Sequence, residues 1–564
     1  MEALAICMIL YTTFRFGNHF ILAYFVQVTL YFEIMRRNFV LLSIASVIIF
    51  WTLAWLVWSG FWWFFGIIIL LAVIGSADML QTKHSLWRNF PLVGRLRWIM
   101  EALRPKIYQY FVESDTDGMP INRLERNIIY QRSKKQLDTM PFGTQMKVYA
   151  EGYEWMTHSI GPKDFLKMNH HPRVMIGNKD CKQPYNASIL NVSAMSFGSL
   201  STAAVEALNG GAKIGGFAQN TGEGGISPYH LKQGGDLIWQ IGTGYFGARD
   251  ANGNFSFEIF KKNALRPEVK MIEIKLSQGA KPGHGGILPA KKNTPEIAAI
   301  RHVEPYTTIY SPPYHSAFRT PVQFVRFIQD VREASGGKPV GFKLCIGHKS
   351  EFIAICKVMI ALDLYPDFIT VDGGEGGTGA APQEFSNSVG APFMDGLSFV
   401  ANMLNGFGIR QHIKIIGSGK ILSGFHIVRA ISLGADMVNS ARAMMMALGC
   451  IQALVCNTNK CPTGVATQNP QLVAGLVVSD KRIRVANYHE DTVKSFVELL
   501  GAAGIDDHTQ LTRSHIYRRV FMNEVRTLEN IYPSLRTGCM IDGDIPEKYK
   551  DDYERADVNR WSQK

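Results

Sequence analysis

The chain has 564 residues, 47% of them hydrophobic, and a formal net charge of +12; this length buries a large core and excludes a single small module. Lysine and arginine are spread along the sequence without basic runs or interleaved aromatic motifs, which argues against a nucleic-acid ligand. Cys7, Cys181, Cys345, Cys356 and Cys539 are scattered singly, so the disulfide framework of a small secreted domain is excluded and a reducing compartment fits.

Residues 1–34 form an extension of uncertain role. Phe20 to Glu33 is apolar, and Met35 stands directly before Arg36-Arg37 as an initiator would, so the extension is either untranslated in the working protein or a third membrane-inserted segment. From Phe39 to Trp58 no residue is charged, over the length that a bilayer core demands of a helix. Ser59-Gly60 breaks this run and a second apolar run, Phe61 to Gly75, follows. Residues 35–78 therefore predict a transmembrane helical hairpin. Cationic flanks on both sides, Arg36 and Arg37 before it and Lys83, Arg88, Arg95 and Arg97 after it, predict both ends in the cytoplasm. The expected protein is multi-pass in the cell (inner) membrane with its catalytic domain in the cytoplasm. Residues 79–150 form a mixed, charged connector that reads as folded.

From about 185 to 475 short β-rich runs, Gly-rich loops and helical patterns alternate, as in βα units around a parallel sheet or barrel. Candidate strands are Ser188 to Ser193, Val269 to Lys275, Gly341 to Leu344, Phe368 to Val371, Ile413 to Ile416 and Met437 to Asn439. A (β/α)8 TIM-type barrel, which gathers catalytic residues in loops at the carboxyl ends of its strands, is the predicted fold; a doubly wound sheet is the alternative. Asp372-Gly373-Gly374 opens a run of glycines to Gly379 that allows close approach to a planar or phosphorylated ligand. Gly417-Ser418-Gly419-Lys420 and Asn439-Ser440-Ala441-Arg442 match the paired phosphate loops of late barrel strands. Lys420 lacks the full P-loop spacing.

Cys450, Cys456 and Cys461 lie in GCIQALVCNTNKCPTGVATQ, with Pro462 after the last as in ferredoxin-type runs. Three close cysteines without an obvious fourth suggest ligands of a three-iron cluster; buried, idle thiols are the alternative. Residues 481–564 are polar, with helical patterns at Asp491 to Leu500 and Ser514 to Leu528 and a charged tail.

SAMSFGSLS (193–201), QNTGEGG (219–225), KLSQGAKPGHGGILPAKK (275–292), YSPPYH (310–315), DGGEGGTGAAP (372–382) and the cysteine run, in this order, resemble the FMN-binding synthase domain of glutamate synthase. The resemblance implies an FMN-containing barrel, assigned to residues 151–480, in which a 3Fe-4S cluster on Cys450, Cys456 and Cys461 passes electrons to the flavin. It implies reduction of the imine formed from 2-oxoglutarate and ammonia to L-glutamate. By motif, Ser193, Ala194, Met195, Ser196, Asn220 and Lys343 would line the flavin. Asp372, Gly373, Gly374, Gly417, Gly419, Ser440 and Ala441 belong to segments near its ring or phosphate. Gln278, Lys281 and Arg301 stand where the family grips 2-oxoglutarate, with Arg301 suited to a bidentate carboxylate and Lys281 to a point charge. Glu223 is the carboxylate expected to transfer protons or couple sites.

Three positions depart from the family pattern. His284 replaces a carboxylate and Ile287 a glutamine in KPGHGGILP, and Tyr245 stands where arginine is usual, which leaves room for another small oxo or amino acid as substrate. The family's glutaminase domain, terminal β-helix and a nucleotide-binding domain are not recognisable. Electrons are therefore expected from an external donor such as ferredoxin or a reductase subunit, and nitrogen from free ammonia or a separate source. A membrane electron-transfer component without substrate turnover is the remaining alternative.

Overall fold

The computed structural model describes residues 19–561, which form two compact units, one ending at Gly118 and the other beginning at Met119. The expected connector at 79–150 is divided between them, and residues 1–18 of the N-terminal extension lie outside the described residues.

In the first unit a helix runs His19–Leu56 and a second runs Phe61–Leu80. The chain turns at Ser59-Gly60, where the sequence predicts it. No break separates Phe20 to Glu33 from the rest of the first helix, so this stretch is not a separate helical segment. Met35–Leu56 and Phe61–Leu80 are each long and apolar enough to cross a membrane, since twenty residues rise about 30 Å. The helices pair through aromatic rings, Phe50 with Phe64 and Trp55 with Trp62. At Gly75 any side chain would collide with the Phe39 ring.

The second unit is built on a closed barrel of eight parallel strands: β1 (Leu190–Val192), β2 (Gln219–Asn220), β3 (Leu237–Ile241), β4 (Val269–Lys275), β5 (Val340–Leu344), β6 (Phe368–Asp372), β7 (Lys414–Ser418) and β8 (Met437–Ser440). Closure comes from the pairing of β8 with β1, Asn439 opposite Asn191. The TIM-type barrel is thus present and the doubly wound alternative is not. Strands covered on both faces read as apolar runs, which explains why β1 and β4 to β8 are legible in the sequence. β2 leaves no strand signal in the sequence because it is two polar residues inside a loop-like motif, and β3, LIWQI between Asp236 and Gly242, is not among the candidate strands.

Helix Thr202–Gly215 follows β1, with Ser201 capping its first turn and Gly216 ending it at φ +65°. A long helix, Val478–Ala502, packs closely on it because Gly211 presents no side chain: a Cβ there would lie 2.5 Å from Val485 Cγ1.

The helical pattern expected over Ser514 to Leu528 is not found. These residues form an antiparallel hairpin, β9 (Ile516–Phe521) and β10 (Glu524–Thr527), and β9 also pairs with Glu154–Met156. Ile516, Tyr517, Val520 and Val525 favour strand, Met522-Asn523 forms the two-residue turn, and Tyr517 stacks on Trp155 at 5.7 Å.

Candidate active site

The carboxyl ends of the barrel strands open into a cavity of about 1130 Å³. Its wall draws Ala194 from beyond β1, Glu223 from beyond β2, Lys275 from the end of β4, Lys343 from β5, Asp372 from β6 and Ala441 from beyond β8. Where β7 and β8 end, a side recess is lined by Ser193, Ser418, Gly419, Lys420, Ser440, Ala441 and Arg442. Lys420 holds a left-handed backbone at φ +47°, which turns the loop sharply after β7. Arg442 donates to the Glu375 carbonyl at 2.8 Å.

On the central wall Lys343 pairs with Asp372 at 3.2 Å, and Asp372 also accepts the Gly279 N–H at 2.9 Å. Burial works against the Lys343 charge, but Asp372 and then Glu273 outweigh it and raise its pKa. Glu273 sits in the barrel interior, where its carboxylate accepts from Asn220, Gln240 and Thr370 at 2.6–2.8 Å.

Opposite lies a cluster of cations around one acid. Lys275 Nζ stands 3.0 Å from Glu223 Oε1 and donates to Gln278 Oε1 at 2.7 Å. Burial raises the Glu223 pKa, yet Lys275, Lys281 and Arg301 together hold it below the usual carboxylate range. Lys281 donates to the Ala380 carbonyl, and burial drives its pKa down to about 8, with repulsion from Lys275 adding to this and Glu223 opposing it. Arg301 donates to the Phe197 carbonyl at 2.9 Å and lies over the Phe246 ring, while its buried Nε has no partner among the described residues. Burial lowers its pKa to about 10, so it stays charged at neutral pH. Three cations facing one carboxylate leave two positive charges uncompensated.

The third wall is the cysteine loop, and Cys450, Cys456 and Cys461 all line the cavity. The loop is tightly held: Tyr130 donates to the Cys450 carbonyl at 2.8 Å, Gln452 to the Ile121 carbonyl at 3.1 Å, and Lys292 to the Cys456 carbonyl at 3.1 Å. Gln452, Leu454 and Asn459 all adopt positive φ, a concentration of strain in one short segment. Among the described residues no group of three His, Cys, Asp or Glu side chains is gathered closely enough to hold a single metal ion.

Of the residues picked from the sequence, Ala194, Met195, Ser196, Glu223, Gln278, Lys281, Arg301, Lys343, Asp372 and the three cysteines line the cavity. Ser193, Gly419, Ser440 and Ala441 line the recess. Asn220, Gly373, Gly374 and Gly417 stand behind the wall. Asn220 supports Glu273. A Cβ at Gly373 or Gly417 would press on Phe393, and one at Gly374 on the Gly390 carbonyl, so packing by itself demands these glycines. Ile287 lines the cavity, whereas His284 and Tyr245 do not. The Tyr245 hydroxyl bridges His315 Nδ1 at 3.1 Å and the Ala317 N–H at 3.0 Å in the core. Lys275 and Lys292 were not singled out in sequence, although each sits at an end of the KLSQGAKPGHGGILPAKK segment.

Residues 127–506 match a family model described as the conserved region in glutamate synthase. The chain is 38% identical to the glutamate synthase large subunit-like protein YerD of Bacillus subtilis (strain 168), over 82% of this chain and 95% of that one. It is 36% identical to the archaeal glutamate synthase [NADPH] of Methanocaldococcus jannaschii, over 56% of this chain but 59% of the relative. With the glutamate synthase [NADPH] large chain of Bacillus subtilis it shares 32% identity over 20% of that protein's length. Among solved structures, a mandelate oxidase with (S)-4-hydroxymandelic acid matches at 13% identity and a TM-score of 0.40, covering 75% of this chain and 99% of that one; a likeness at this level adds nothing to the barrel already described. The matched region spans the barrel, the cation cluster and the cysteine loop, and on this ground the chain belongs to the glutamate synthase family as a glutamate synthase-like oxidoreductase.

Proposed function

We propose that the protein is a membrane-anchored FMN and iron–sulfur oxidoreductase that forms L-glutamate reductively from 2-oxoglutarate and an ammonia-derived imine. The observation that carries this reading is the charge of the substrate wall: Lys275, Lys281 and Arg301 exceed Glu223 by the two charges that a dicarboxylate brings. Arg301, with a buried Nε free to donate, holds one carboxylate, and Lys281 faces the other. Glu223, kept ionised by its neighbours, fixes Lys275 Nζ at 3.0 Å on the cavity wall.

The residues fit FMN. Lys420, Arg442 and the loop backbones after β7 and β8 suit its phosphate, the position that barrels use for phosphate. Ala194, Met195 and Ser196 flank the ring, and Lys343 would hold its negative end. Bound FMN supplies the two electrons that reduce the imine carbon. The donor set also fits a 3Fe-4S cluster: three thiols share one wall, and Cys450, Cys456 and Cys461 would supply its thiolate ligands. Residues 35–78 anchor the chain as a hairpin in the inner membrane, with the catalytic unit in the cytoplasm. An external donor such as ferredoxin or a reductase subunit supplies electrons, and free ammonia or a separate source supplies nitrogen.

The test is an anaerobic assay on detergent-purified protein, reduced chemically and followed by flavin absorbance. Reoxidation that requires both 2-oxoglutarate and ammonium, with glutamate accumulating, is the expected result. Flavin and cluster that stay reduced would sink the glutamate reading. A second reading, reduction of another oxo acid, is favoured by Ile287, which places an apolar group on the cavity wall. Reoxidation by a less polar oxo acid in preference to 2-oxoglutarate would establish it.

A further inference from the structure

Helix Gly94–Ile107 carries an apolar stripe that none of the described residues covers. At 100° per residue, Leu96, Ile99, Met100, Leu103 and Ile107 fall on one face. All five are exposed, between 37% and 54%, and Gly94 is the one buried residue of the helix. The stripe continues into exposed Tyr108, Tyr110, Phe111 and Val112 of the following turn. Basic side chains border it on both edges, Arg97 and Arg104 on one and Arg95 and Lys106 on the other. The helix has a single acid, Glu101, which meets Arg97 at 3.3 Å; Arg95 is paired with Asp78 at 2.6 Å, so Arg97, Arg104 and Lys106 against Glu101 carry the excess.

The place of this helix is fixed by the two membrane-length helices. Asp78, in the last turn of Phe61–Leu80, takes the Arg95 guanidinium at 2.6–3.0 Å and the Leu92 N–H at 3.1 Å. The guanidinium lies over Trp87, whose ring in turn meets His84 at 4.2 Å in a tilted arrangement. Arg36, at the beginning of the span Met35–Leu56, donates to the Arg88 carbonyl at 2.9 Å and to Asn89 Oδ1 at 2.6 Å. The start of one span and the end of the other are therefore clamped to the segment that leads into the helix. This is the end of the hairpin at which the chain enters and leaves an apolar layer.

We propose that helix Gly94–Ile107 lies in the interfacial plane of an anionic bilayer, with Leu96, Ile99, Met100, Leu103 and Ile107 in the upper acyl region and Arg97, Arg104 and Lys106 among the headgroups. The proposal rests on the hairpin being membrane-spanning. Its warrant is the combination that interfacial helices share, an apolar face bordered by Lys and Arg, at a site already held at headgroup level. The charge excess selects anionic lipid, and a stripe this wide is not left in water without a partner.

The test uses the full chain in nanodiscs of phosphatidylcholine with or without phosphatidylglycerol, which leave both bilayer faces open to trypsin. Cleavage after Arg97 and Lys106 is read by mass spectrometry for the parent, for M100E/L103E and for the conservative M100L/L103I. With phosphatidylglycerol present, the parent and M100L/L103I are expected to resist, and M100E/L103E to be cut roughly tenfold faster. Equal cleavage of the parent and M100E/L103E overturns the proposal. So does protection that persists in detergent micelles, which would point to a protein contact. If the hairpin reading itself fails, the protein does not co-purify with the discs at all; if only this proposal fails, it stays in the disc and is cut at these sites.

Discussion

Lys281 offers the sharpest check on the substrate wall, because burial and Lys275 bring its pKa to about 8. Its folded pKa lies below the ordinary lysine value, so the charge is present below pH 8 and is lost as pH rises through it. About nine-tenths of the side chain is protonated at pH 7 and about one-tenth at pH 9. A hydrogen bond to a charged partner contributes about 1.5–3 kcal/mol, so an uncharged Lys281 binds a dicarboxylate ten- to roughly hundredfold more weakly. Binding then proceeds through the protonated fraction, and the Kd of 2-oxoglutarate should rise about tenfold from pH 7 to pH 9. Calorimetry on the oxidised holoenzyme without ammonium measures this directly, since ammonium itself deprotonates over the same range. Lys281→Met should start weak at pH 7 and stay flat. Lys281→Arg should bind with no loss up to pH 9. A tenfold rise that survives in Lys281→Met refutes the assignment and moves the titration to another group, with Lys292, also lowered to about 8, the first to test.

Cys456→Ser should abolish the iron–sulfur absorbance while leaving a cooperative melt and bound FMN, because Tyr130, Gln452 and Lys292 hold the loop through carbonyls that the substitution leaves in place; an unchanged cluster spectrum would remove Cys456 from the ligand set. Tyr245→Phe takes a hydrogen bond from both His315 and Ala317 and should destabilise the chain by about 1–3 kcal/mol in urea unfolding. The Kd of 2-oxoglutarate should stay within about twofold, and a larger change would put Tyr245 in the substrate site after all. Gly211→Val forces Val485 aside and should lower stability by about 1–3 kcal/mol, measured in the same way.

The barrel was legible where its strands are long enough to carry an apolar run. Val269–Lys275 is legible to the residue because a strand with six of its seven residues buried leaves a clear signature. Gln219–Asn220 left none: its side chains make polar bonds on both faces, Asn220 to Glu273 in the barrel interior and Gln219 to the Val205 carbonyl of helix Thr202–Gly215. The hairpin at Ile516–Thr527 was misread as helix because its strands lie at the surface with a mixed arginine and apolar pattern, and what decides them is pairing with Glu154–Met156, some 360 residues away in sequence. A contact of that range has no local trace.

For the site, the sequence showed which segments meet but not which atoms face the cavity. The glycines of Asp372 to Gly379 illustrate the difference. They suggest a backbone opened to a ligand, yet Gly373 and Gly374 are needed to pass Phe393 and the Gly390 carbonyl, while Gly376, Gly377 and Gly379 are the ones on the cavity wall. A glycine records that something comes close without recording whether it is a ligand or the protein's own core. Charged residues divide in the opposite way. Lys275, at the very end of a buried strand, cannot be a solvated surface lysine once its strand is known to be covered on both faces, since an ammonium there must have a partner. Placing β4 therefore requires an anionic or accepting partner for Lys275 without saying which residue supplies it. Glu223, already marked by its glycine-rich motif, is that partner at 3.0 Å.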